Sequence, residues 1–396
     1  AANCYLVAKP GLYYFLAKKV DGTEIPGSDA KLLWTYVKSE LNSENTLVKS
    51  ESAAKEDNEE YIIRNIAYNA TEGSIQFEAT GNTGNAVIAL VNSSNQIVWS
   101  WHIWANETTE IGKPWTCGMM NFLVESSPNY VTSLTWADRN LGATSTTAGD
   151  VYAIGCCYQW GRKDPFLNTA KAGSLIADFP VYINTVDFPD AGFKKGETAP
   201  TMAESAASPM TIFVQAETWA SDITDAAWGD KTAPFGTEVT TNHHVPWLNN
   251  VDPVEGCLSG ARKPENGKSN TDPCPPGYRV PTIEEYGISF QLSDKTYTYF
   301  VGSYTKTRSE AVCYDNTLTG TNGTVFMFPN APWWNAGTIA GNGTSHAPYY
   351  WVATVSRVAG KTPFYAYRYL FGATECRMDT GGPVTGARAV RCIKQR

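Results

Sequence analysis

Two adjacent carboxylates (Glu284 and Glu285), two adjacent imidazoles (His243 and His244) and nine cysteines are the residues of this 396-residue chain whose types could do chemistry. Paired carboxylates serve general acid/base work and glycoside hydrolysis. Neighbours on a helix point in different directions, however. Thr282, three residues before Glu285, also forms a capping box with it, which accounts for that carboxylate structurally. His243-His244 stands in a Thr- and Asn-rich loop with no further ligand at metal spacing. His102 alternates within an apolar strand pattern and reads as a structural histidine. There is no Gly-x-Ser-x-Gly, phosphate-binding glycine loop or dinucleotide fingerprint. The sequence therefore predicts no catalytic set, no metal and no cofactor, and a protein that is not an enzyme.

The cysteines are Cys4, Cys117, Cys156, Cys157, Cys257, Cys274, Cys313, Cys376 and Cys392. No Cys-x-x-Cys occurs, so disulfides in an oxidising compartment fit better than zinc. The odd number leaves at least one thiol over, and the pairing does not follow from the spacing. Asp138-Arg139 and Arg162-Lys163-Asp164 stand in turns flanked by Gly and Pro. There such charges hold loops through charge-assisted bonds more often than they bind ligands. The best binding candidates are Trp333, Trp334, Asn335, Tyr349, Tyr350, Trp351, Arg357, Tyr365, Tyr367 and Arg368. Trp, Tyr and Arg offer rigid contact area with a polar handle. Strand residues alternate faces, so about half of these should be core.

The elements that must position these residues are mostly strands. Charged residues make up only 18% and aromatics 12%, a balance typical of a β-rich exported protein. A net charge of -8, with no basic run, argues against nucleic acid, and no apolar run is long enough to span a membrane. Residues 1–110 read as a β-sandwich. Ser74–Ala79 alternates with period two, Ile97, Trp99, Trp101 and Ile103 share one face, and Asn92–Asn95 signals a hairpin. Leu32–Val37 is read as a strand, although Leu32, Leu33, Tyr36, Val37 and Leu41 also recur at helical spacing. Segment 105–114 has linker chemistry. Beyond it come short strands, with Ala389–Lys394 as the closing one, and long loops between about Asn168 and Gly267 that include short helices within Gln215–Trp228. Pro273, Pro275, Pro276 and Pro281 make Asp272–Gly277 a stiff extended or turn segment that delivers the chain into a helix over Ile283–Leu292.

Asp138-Arg-Asn-Leu-Gly-Ala143, Tyr158-Gln-Trp-Gly-Arg-Lys-Asp-Pro-Phe166, Asp272-Pro-Cys-Pro-Pro-Gly-Tyr-Arg-Val-Pro-Thr282 and Val390-Arg-Cys392 resemble, in order, the Fibrobacter succinogenes major paralogous domain family. That family is similar in fold to C-type lectin-like domains and is found in Bacteroides fimbrillin-like and surface lipoprotein adhesins. Trp99–Trp104 is similar to the end of the β domain that often precedes it. The resemblance implies a mainly β chain with an α+β C-terminal part. An N-terminal Ig-like or fimbrillin-like β-sandwich over 1–110 would be followed by a C-type lectin-like domain with long loops over 111–396. It further implies an exported adhesin or fimbrial tip-type protein binding a glycan or a host or bacterial surface protein. A structural fimbrial subunit polymerised by strand donation is the alternative, and a polysaccharide-acting enzyme a weaker one. The family's recurrent cysteines imply a Cys274–Cys392 disulfide. The chain departs from its relatives at Cys156-Cys157 and at Val352-Ala353. It also lacks the calcium words of sugar-binding C-type lectins, since Trp334-Asn335 is followed by Ala336.

Overall fold

The computed structural model describes residues 1–37, 61–116, 133–147, 150–167, 194–196, 202–213, 268–281, 285–286, 289, 300–305, 308–314, 325–329, 333–335, 338–340, 349–355, 365–371, 376–383 and 386–395. Between 300 and 340, and over 376–383, the description is of the backbone alone. The chain is mainly β, with several sheets. It opens with β1 (Cys4–Val7), β2 (Gly11–Leu16), β3 (Asp29–Val37), β4 (Ile63–Asn69), β5 (Ser74–Ala79), β6 (Gly84–Val91) and β7 (Ile97–Ala105). These form a four-stranded sheet, β1-β7-β6-β3, and a three-stranded sheet, β2-β5-β4. Phe15, Ile75 and Phe77 from one sheet and Leu32, Ile88, Leu90, Trp101 and Ile103 from the other enclose a single core.

The helical spacing around Leu32 has a local cause. A β-bulge between Leu32 and Trp34 reverses the parity of β3. Ala30 and Leu32 before it, and Thr35 and Val37 after it, therefore share the core face, while Trp34 is buried on the opposite face, paired with Val87. An inward step of three residues from Leu32 to Thr35, impossible in a regular strand, imitates a helix. Asn92–Asn95 does make the hairpin turn. Asn92 Oδ1 accepts from Ser94 N at 3.0 Å and Gln96 N at 2.9 Å, and Asn95 adopts φ 60°.

β7 departs from simple alternation. Trp99, Trp101 and Ile103 are buried, but so are Ser100, His102 and Trp104 on the opposite face. The later chain covers that face. Trp104 Nε1 donates to the Ala143 carbonyl at 3.0 Å, Asn85 Nδ2 to the Gly142 carbonyl at 2.9 Å, and Ser100 Oγ to Asp164 Oδ1 at 2.7 Å. His102, with Asn85 Oδ1 at 2.8 Å and the Tyr158 hydroxyl at 3.2 Å, is fully engaged. Buried polar groups so partnered join the two parts without leaving a desolvation penalty.

The chain leaves the first sheets after Ala105 and enters a new one at β8 (Gly112–Thr116), so the linker segment ends as a strand. β8 lies at the edge of the sheet β14-β24-β9-β8, where Pro114 costs no ladder bond on the open side. The sheet's other strands are β9 (Ser133–Ala137), β14 (Tyr278–Arg279) and β24 (Ile393–Lys394). A six-stranded sheet runs β11-β10-β23-β20-β21-β22. It contains β10 (Cys156–Gln159), β11 (Phe166–Leu167), β20 (Tyr349–Val355), β21 (Tyr365–Phe371), β22 (Cys376–Pro383) and β23 (Ala387–Ala389). The closing strand expected over Ala389–Lys394 is thus two short strands in two different sheets. Val390–Cys392 crosses between them, held by Leu141 N to the Val390 carbonyl and Ala137 N to the Cys392 carbonyl, each 2.9 Å.

Two pairs and a three-stranded sheet complete the described strands: β12 (Lys194–Gly196) with β13 (Thr211–Phe213), β18 (Trp333–Asn335) with β19 (Thr338–Ala340), and β15 (Phe300–Thr305), β16 (Arg308–Tyr314) and β17 (Val325–Pro329) in that order. Met202–Ala206 is a short helix, α1. The helices expected within Gln215–Trp228 lie outside the described residues. Glu285, Tyr286 and Ser289 are helical; Thr282 and the remainder of the expected helix lie outside.

Candidate functional site

The four sequence words converge, and what they build is a buried frame. Arg391 donates from Nε and Nη2 to Asn140 Oδ1 at 3.0 and 2.8 Å, while Asn140 Nδ2 donates to the Ile154 carbonyl at 2.9 Å and the Tyr350 hydroxyl at 3.0 Å. Trp160 Nε1 reaches the Val352 carbonyl at 2.8 Å. Cys274 and Cys392 form a disulfide with Cα atoms 6.0 Å apart. Asp272 accepts from Cys274 N at 2.8 Å and Val280 N at 3.0 Å, so one carboxylate shapes both ends of the proline-rich turn. Lys268 donates to the carbonyls of Cys274 and Pro275. Glu285 takes Arg279 bidentately, at 2.5 and 2.7 Å. That pairing commits the glutamate, once a candidate acid/base group, to a buried ion pair.

Arg162-Lys163-Asp164 is a second buried cluster. Arg162 donates to the carbonyls of Thr211, Ser205 and Ser208 at 2.7, 3.2 and 3.1 Å. Lys163 Nζ lies 2.6 Å from Asp164 Oδ1 and 4.6 Å from the centre of the Trp99 ring. Burial pulls the Lys163 ammonium below its ordinary range, and Asp164 opposes that pull. Solvent does not reach these groups, so they act as a joint between β7 and the turn after β10.

The aromatic candidates divide by face. Tyr350, Trp351, Val352 and Ala353 are all buried. Tyr350 is opposite Tyr369, whose ring stacks on Tyr286 at 4.8 Å, and Tyr286 in turn meets Trp136 at 4.8 Å. This side of the six-stranded sheet is core. Trp351 faces the other way, yet its Nε1 is bound to the Tyr158 carbonyl at 2.9 Å. Tyr349 and Arg368 alone among the ten candidates have described side chains that remain half-buried. The Arg368 guanidinium lies 4.1 Å from the Tyr349 ring centre, and Arg388 lies 5.5 Å from it and 4.8 Å from the Trp351 ring. The result is a ladder of alternating guanidiniums and aromatic rings on one sheet face, each contact contributing about 0.5 to 2 kcal/mol.

Trp333, Trp334 and Asn335 occupy β18, and Tyr365 and Tyr367 lie in β21 beside Arg368. Arg357 lies outside the described residues. Arg388 was missed by the sequence reading. Its signal was Ala387-Arg-Ala389: a long cation between two small residues in a strand has a face to itself.

Trp351 and Arg388 are themselves buried, so the ladder presents a ring and a guanidinium only at Tyr349 and Arg368. It can stack on a sugar or a peptide side chain and donate hydrogen bonds to it. Among the described residues no group of three or more His, Cys, Asp or Glu is placed to hold a metal. The described free cysteines, Cys4, Cys156 and Cys157, are all buried. Burial raises each thiol pKa, that of Cys157 to about 12, so none is poised as a nucleophile.

The chain matches no family model, no curated protein and no solved structure. Function must therefore be argued from the site.

Proposed function

We propose that this chain is an exported surface adhesin, of fimbrial tip type, that binds a glycan or a surface protein non-covalently at the Tyr349–Arg368 face. The binding part would be a C-type lectin-like domain over 111–396, carried behind the N-terminal sandwich of 1–110. The observation that carries this reading is the half-buried Tyr349–Arg368 pair, 4.1 Å apart, on the adjoining inner strands β20 and β21, where the neighbouring positions Tyr350–Ala353 are sealed. A ring and a guanidinium braced by a buried core form a pre-ordered contact surface, which lowers the entropy lost on binding. The four ordered sequence words add support, because their residues build the frame beneath this face. No chemical step and no cofactor enter the reading.

The test is a screen of the intact chain on glycan arrays and on arrays of host and bacterial surface proteins. Reproducible binding that competes with soluble ligand supports the reading, and silence on all of them contradicts it. Detection of the protein on intact cells by surface labelling tests the location.

A further inference from the structure

We propose that two copies of this chain associate through antiparallel pairing of β2 with β2, about a two-fold axis at Tyr14. Among the described residues the exposed large hydrophobics are Leu12, Tyr14 and Leu16, at 65%, 76% and 45% exposure, and all three stand on this one strand. β2 pairs with β5 on one side and, among the described residues, with nothing on the other. Its sequence, Gly-Leu-Tyr-Tyr-Phe-Leu, carries no charge, no proline and no bulge, the devices that usually protect an edge. The opposite edge of the same sheet does have such protection. There β4 is broken by a register shift between Arg64 and Ala67, and Asn65 takes a positive φ of 52°.

The occupant is fixed by the pattern. In an antiparallel ladder directly opposed residues lie on the same face. Centring the pair on Tyr14 sets Tyr14 against its own copy and Leu12 against Leu16, so every exposed apolar side chain meets another. A shift of the centre to Tyr13 or Phe15 leaves a leucine against Pro10 or Lys18 and loses that match. Charges nearby do not oppose the arrangement. Arg64 neutralises Glu78 at 2.7 Å, Lys18 pairs with Glu24 at 3.2 Å, and Lys19 lies over Trp99. A strand of six residues spans only about 20 Å, so the interface is small and its dimer concentration-dependent.

Sedimentation velocity over a wide concentration series should show a reversible monomer–dimer equilibrium with no larger species. Tyr14→Lys, at an exposed edge position, should weaken dimerisation at least about tenfold while leaving the thermal midpoint unchanged. A short bismaleimide should cross-link Tyr14→Cys chains to one another. It should link Leu12→Cys to Leu16→Cys in a mixture, but neither variant to itself. A chain monomeric at every concentration, an open polymer, a dimer indifferent to Tyr14→Lys, or cross-linking of Leu12→Cys to itself would each overturn the proposal.

Discussion

Ser100 Oγ donates to Asp164 Oδ1 at 2.7 Å, and through that bond β7 of the first four-stranded sheet grips the turn that follows β10. The same carboxylate holds Lys163 at 2.6 Å and Arg162 at 3.3 Å, all three groups being buried. Asp164→Ala strands two cations away from water. It should cost about 3 to 5 kcal/mol, and chemical denaturation followed by tryptophan fluorescence should record the loss. A cost below about 1 kcal/mol would mean that the cluster is not buried in solution.

The Cys274–Cys392 disulfide closes a separation of 118 residues. Its removal by Cys274→Ser with Cys392→Ser should lower stability by about 4 to 5 kcal/mol on the chain-entropy account, measured against the oxidised parent. Peptide mapping of the non-reduced protein should recover the pair, and either thiol free in the native protein would contradict the structure.

His102 is buried among uncharged partners, and burial lowers its pKa to about 3. In the unfolded chain a histidine titrates near 6.5. Between these values the unfolded state takes up a proton that the folded state refuses, so stability falls as pH drops from about 6.5 towards 3, by up to about 1.4 kcal/mol per pH unit. His102→Gln should flatten that part of the stability–pH profile, whereas an unchanged slope would place the acid sensitivity elsewhere.

Much of the fold was legible because period two is legible. The strands at Ser74–Ala79 and Ile97–Ala105 and the Asn92–Asn95 turn follow from local chemistry. The β3 bulge and the double-sided burial of β7 did not show in the sequence. The bulge breaks the very period being read, and Ser100, His102 and Trp104 are buried by residues some forty to sixty positions away. The split of Ala389–Lys394 was hidden for a similar reason: a short strand-like run does not reveal which sheet each half joins. At the site, residue type alone could not distinguish Tyr349 from Tyr350. Their faces separate only once Tyr350 is seen against Tyr369 and beneath Asn140.

Cys4, Cys156 and Cys157 are buried and their thiolates disfavoured. In native protein they should resist a charged thiol reagent and become reactive only as the chain unfolds, with the rate following denaturant concentration. Rapid native labelling of any of them, read by mass spectrometry, would contradict the described packing.

The most direct test of binding at the Tyr349–Arg368 face is the ratio of affinities of the parent chain and Tyr349→Ala for a ligand recovered from the arrays, by calorimetry, with thermal midpoints compared in parallel. The account predicts at least about a tenfold loss of affinity, about 1.4 kcal/mol, in a chain that stays folded although its midpoint falls with the two lost guanidinium contacts. Equal affinities in two folded proteins would place the ligand elsewhere and contradict it.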